Sequence, residues 1–178
     1  MALLFLAICC PTAGLAQQCS NNISATTPTA RFKVARDIAV DRDSELIWRR
    51  CSEGQIWHQD MCQGEVTQLT WAEAQTYLKQ HTDWRLPTLK ELAGLVELSC
   101  SHPAINLQLF PNSASNHYWS ATRFASSPEM HWQVQFATGD SHNAKGSAPA
   151  ALRLIRESKK PSSKLKKAKV NSEQGENQ

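Results

Sequence analysis

Cysteine, carboxylate, histidine and cationic side chains are the groups in this sequence that could carry chemistry. Cys19, Cys51, Cys62 and Cys100 remain if the first sixteen residues are a removed leader. An even number of cysteines in an exported chain reads as two disulfides. The short loop containing Gly54 favours Cys51–Cys62, and that leaves Cys19–Cys100 to tie the N-terminal arm to the body. The rival is a metal centre drawing on Cys51, Cys62, Cys100, His58 or His102, but no Cys-x-x-Cys pair is present. Asp37, Asp41 and Asp43 offer clustered oxygens for calcium, or simply polar turn chemistry between two strands. Turn chemistry is the preferred reading.

Catalytic patterns are missing. There is no Gly-x-Ser-x-Gly elbow, no His-Glu-x-x-His helix, no phosphate-binding loop and no Gly-x-Gly-x-x-Gly. No cofactor and no nucleic acid is expected. An enzyme would need an unfamiliar constellation, with His117, His131 or Asp140 around one cleft. Of the six tryptophans, Trp48, Trp71, Trp119 and Trp132 suit core positions. Trp57, in the polar disulfide loop beside His58, would need a reason to be exposed. Cationic candidates for holding an anionic ligand are Arg123, Lys145 and Arg153, with Trp57 as an aromatic companion.

The elements that position these groups follow from pattern. Residues 1–16 read as a signal peptide, with Gly14 and Ala16 at the −3 and −1 positions of a cut after Ala16. The apolar run is too short to span a bilayer, and no other segment is a transmembrane candidate. Residues 17–31 form a polar arm and residues 32–157 one domain. Strands are expected around 38–40 and 46–48, at 118–122, at 132–136 with Trp132, Val134 and Phe136 inward, and at 152–156. Two helices begin at Thr70 and Thr88, each with a glutamate three residues later, the capping-box pattern. Trp71, Ala74 and Leu78 face inward on the first, and Leu89, Leu92, Ala93 and Val96 on the second.

The net charge of +3 is an end effect. Lys159, Lys160, Lys164, Lys166, Lys167 and Lys169 lie beyond Glu157, which leaves the body with 13 basic and 14 acidic side chains. Residues 158–178 read as a disordered polybasic tail suited to an anionic surface.

An ordered set of segments resembles the Lcl C-terminal domain family. It comprises Leu46 to Ser52, Gly54 to Trp57, Cys62 to Gly64, Thr70 to Ala74, Trp84 to Thr88 with Lys90 to Leu92, Pro103 to Asn106, Tyr118 to Thr122 and Leu152 to Arg156. The resemblance covers residues 32–156 and implies an exported bacterial domain, periplasmic or secreted. Its Trp84-Arg85-Leu86-Pro87-Thr88 corner is also similar to that of formylglycine-generating-type domains, which implies a C-type-lectin-like α+β fold. Two helices would then pack on a small antiparallel sheet, stapled by the disulfides. The calcium-binding Glu-Pro-Asn, Gln-Pro-Asp and Trp-Asn-Asp motifs of true lectins are absent, as are a late catalytic cysteine pair and a collagen-like repeat. The expected function is a non-catalytic binding or adhesion module for an anionic polysaccharide or another envelope component. A structural, homo-oligomeric subunit of a surface appendage is the alternative.

Overall fold

The computed structural model describes residues 16–158, so the expected leader up to residue 15 and the lysines from Lys159 lie outside the described residues. In chain order the elements are β1 (Gln18–Cys19), β2 (Phe32–Ala35), β3 (Ile38–Asp41), β4 (Leu46–Arg49), β5 (Ile56–His58), β6 (Met61–Gln63), β7 (Gln68–Leu69), α1 (Trp71–Gln80), α2 (Leu89–Ala93), β8 (Cys100–Ser101), β9 (His117–Arg123), β10 (Met130–Gln135), β11 (Ser141–Lys145), β12 (Ala150–Ala151) and β13 (Ile155–Glu157). They form a five-stranded sheet in the order β11-β10-β9-β12-β7 and a four-stranded sheet in the order β13-β4-β3-β2. Two strand pairs, β1-β8 and β5-β6, complete the pattern.

The fold is therefore mostly β, and the expected C-type-lectin-like α+β arrangement with two helices on one small sheet is corrected. Two physical reasons account for the difference. Both capping boxes form as the sequence implies, Thr70 with Glu73 and Thr88 with Glu91. Yet α2 spans only five residues and is capped at Gly94, with Val96 beyond it in an isolated β-bridge to Ile105. Its apolar residues are buried by tertiary packing rather than along a long helix. In addition β1, β7, β8 and β12 are two residues long, too short to carry a period of their own.

The segment expected as one closing strand is also divided. Ala150 and Ala151 pair within the five-stranded sheet, whereas Ile155 pairs with Trp48 in the four-stranded sheet. Residues 150–155 pass between the two sheets and are buried throughout. This crossover joins two core clusters. One contains Trp48, Phe110, Tyr118 and Phe136, and the other Trp119, Leu86, Leu152 and Leu154 beneath α1.

Both disulfides form with the expected pairing, Cys51–Cys62 from the loop ahead of β5 to β6 and Cys19–Cys100 across β1-β8. The arm is further held by Glu97, which is 3% exposed. Its carboxylate accepts from the Thr26, Thr27 and Ser99 backbone N–H groups at 3.0, 2.9 and 3.1 Å and from the Ser99 hydroxyl at 2.6 Å. Burial pushes this carboxyl up, but the bonds from Ser99, Thr27 and Thr26 outweigh it and pull it down to about 2.

The Arg85 corner is an electrostatic clasp. The guanidinium holds both oxygens of Glu91 at 2.9 Å, while Glu91 also accepts from the Thr88 N–H at 2.7 Å. Beside it the Arg49 and Arg156 guanidinium carbons lie 4.7 and 4.8 Å from the centre of the Trp84 ring. This corner thus joins α2 to β4 and β13 through charge and stacking.

Candidate functional site

Strand pairing in the five-stranded sheet brings two of the expected cationic residues together. Arg123 ends β9 and lies opposite His131 of β10, and Lys145 ends β11 opposite Met130. Together with Trp71, His131, Glu129 and Gly146 they line an open groove of about 700 Å³. Both cations are exposed, and among the described residues neither forms an ion pair.

The groove is built by local chemistry. Trp71 is the first residue of α1, and its N–H donates to Gly146 O at 2.8 Å. The Gly146 N–H donates in turn to Glu129 O at 2.9 Å, which joins helix start, loop and hairpin. The Trp71 ring stacks on His131 with centroids 3.7 Å apart and meets Trp119 edge-on at 5.5 Å. A Cβ at position 146 would stand 3.2 Å from Trp71 Cβ and 3.8 Å from His131 Cδ2, so glycine leaves the floor open. The N-terminus of α1 is occupied by its own cap, since Glu73 accepts from the Thr70 N–H at 2.8 Å. The positive charge at the groove therefore comes from the two side-chain cations rather than from the helix end.

The remaining sequence candidates fall elsewhere. Trp57 is half-buried, with the Arg50 guanidinium carbon 4.3 Å from its ring centre. It lines a separate depression of about 220 Å³ with Asp37, Arg49 and Ser52, so it does not extend the groove at Lys145. Arg153, expected on the surface, is corrected to a core residue with 0% exposure. Its guanidinium donates to Arg50 O at 2.6 Å, Arg49 O at 3.2 Å, Ser52 Oγ at 2.9 Å and Ser113 Oγ at 2.7 Å. Its charge marked it as a candidate for the surface, but the crossover has protein on both sides. The lysines of the tail lie outside the described residues.

The catalytic and metal readings do not assemble. His131 lies in the groove, whereas His117 packs edge-on against His142 at 4.5 Å and Asp140 accepts from the Thr138 hydroxyl at 2.6 Å. Burial, and then His142, hold His117 below the ordinary histidine range. The four cysteines are consumed in disulfides. Asp41 is buried against Arg31, with bonds of 3.0 and 2.5 Å, and also accepts from Asp43 N and Ser44 Oγ, which makes this cluster turn chemistry.

Sequence reasoning missed Trp71, His131 and Gly146 as parts of one site. Trp71 and Trp132 were assigned to the core, yet both remain partly exposed. A bulge between His131 and Gln133 shifts the β10 register, so His131 and Gln133 are buried instead of Trp132. No local sequence signal marks that bulge.

The family model of the Lcl C-terminal domain matches residues 37–156, a span that includes the five-stranded sheet, both helices and the whole groove but not β2 of the four-stranded sheet. None of the curated proteins matches the chain. With two thirds of its sequence covered, the chain belongs to the Lcl C-terminal domain family.

Proposed function

We propose that this protein is an exported, non-catalytic binding module that holds an anionic polysaccharide in the groove between Arg123 and Lys145. One observation carries the reading: two cations without ion-pair partners among the described residues flank an open aromatic groove. A guanidinium and an ammonium at such a site recognise sulfate or carboxylate through charge-assisted hydrogen bonds. The two disulfides fit an oxidising compartment, and no described helix is long and apolar enough to cross a membrane. The lysines beyond Glu157 supply further cationic charge for the same class of surface. Retention on immobilised heparin at physiological salt tests the reading, with R123A/K145A as the groove variant. Flow-through of the wild-type chain would end it.

A structural-subunit role draws support from a different place. Ile56 and Met61 on the β5-β6 hairpin are 73% and 43% exposed. Sedimentation of the full chain separates the two readings, because a self-assembling subunit would show concentration-dependent association.

A further inference from the structure

We propose that the groove takes up a proton together with its anionic ligand, and that His131 is the group that receives it. The inference rests on the anion-binding reading above and adds its regulation by pH.

Three observations support it. His131 is only 3% exposed, yet it forms part of the groove lining between Arg123 and Trp71. Its Nδ1 is buried and has no hydrogen-bond partner. In contrast its Cδ2 faces the space left by the missing side chain of Gly146. Turning the ring over about the Cβ–Cγ bond exchanges Nδ1 with Cδ2, and so presents the unpartnered nitrogen to that space. The stack on Trp71 at 3.7 Å and 20° survives such a turn, because the ring plane is unchanged. A ligand oxygen in the groove would then satisfy a nitrogen that the protein itself leaves unpaired.

Electrostatics sets the direction. The charged groups around the ring are Arg123 from β9, Lys145 from β11, Glu129 ahead of β10 and Glu73 in the first turn of α1. Glu73 is engaged by its cap. Burial, and then the positive charge of Arg123, hold the free imidazole below the ordinary histidine range. A bound sulfate or carboxylate offsets the cations and accepts from the imidazolium, so protonation becomes easier in the complex. The imidazolium also gains from the face of Trp71. By linkage, what raises the proton affinity of the complex makes ligand binding tighter as pH falls. A single linked proton limits the gain to about tenfold per pH unit.

The test uses the full chain and a heparin-derived hexasaccharide, with titration calorimetry at pH 5.5 and 7.5 in buffers of different ionisation enthalpy at constant salt. The expected result is roughly tenfold tighter binding at pH 5.5, with a net proton uptake per ligand bound. H131F keeps an aromatic ring against Trp71 and should bind with no pH gain and no proton uptake. If H131F fails to fold, the imidazole resonances of wild-type His131 decide instead. Their titration midpoint should rise when the hexasaccharide is added. Binding without proton uptake, or uptake that persists in H131F, overturns the role of His131 and leaves the function in place. Absence of binding at both pH values removes the anion-binding function and this inference with it.

Discussion

Replacing Arg153 separates a core cation from a ligand contact. The side chain has 0% exposure, and no carboxylate faces it among its contacts. Burial holds the guanidinium below its ordinary range. It survives there because four acceptors surround it, and because the rings of Phe110 and Tyr118 lie 5.0 and 5.6 Å from its central carbon. In R153A the Ser52 hydroxyl keeps Tyr118 and the Ser113 hydroxyl keeps Phe110 O. The carbonyls of Arg49 and Arg50 lose a donor, which costs about 1–3 kcal/mol in a buried setting. The cavity left by a long side chain adds about 2 kcal/mol. The sum is roughly 4 kcal/mol, a large part of the stability of a domain this size. R153M retains much of the volume and should lose only about half as much. Chemical denaturation of R153A, R153M and wild type measures both values. The reasoning is refuted if R153A unfolds within about 1 kcal/mol of wild type. It is equally refuted if R153A weakens heparin retention while its stability is unchanged.

Three further outcomes follow from the same contacts. Glu97, whose carboxyl is pulled from 4.5 to about 2, contributes stability that is fully present above pH 4.5 and is lost as pH falls through 2. That contribution is about 3 kcal/mol, so wild type should lose about that much more than E97Q across this window, as read by denaturant midpoints, while Asp41 and Glu91, also held low by their partners, titrate in both proteins. C19S/C100S opens a closure of 81 residues and should cost about 4 kcal/mol, and C51S/C62S, which opens one of 11, about 3 kcal/mol, both as upper values in thermal melts. G146A places a methyl 3.2 Å from Trp71 Cβ on the groove floor and should reduce heparin retention severalfold while shifting stability by less than about 1 kcal/mol.

What could be read from the sequence was local or set by chain connectivity. Thr70 with Glu73 and Thr88 with Glu91 signalled helix starts because both partners of each cap lie within one turn. Cys51 and Cys62 were legible because only a short hairpin separates them. The long-range features were not legible. The length of α2 is decided by Gly94 and by the packing of Leu92 and Val96, and the same apolar spacing would suit a longer helix. β12 exists only because Ala150 and Ala151 meet Leu69, Gln68 and Tyr118. At the site, residue type singled out Arg123 and Lys145, and three adjacent strands then brought them to one groove. Trp71 and His131 join it through a helix start and a bulge, contacts that no spacing reveals. Arg153 was misplaced for a related reason, since residue type alone assigned it to the surface and this segment passes between two sheets.

The central claim is that Arg123 and Lys145 form one anion-holding groove. Calorimetric affinity for a heparin-derived hexasaccharide at physiological salt, wild type against R123A/K145A, tests it most directly. Each exposed cation is worth about 1 kcal/mol, so the double variant should bind roughly thirtyfold more weakly with an unchanged melting temperature. Equal affinity in the two proteins would contradict the claim.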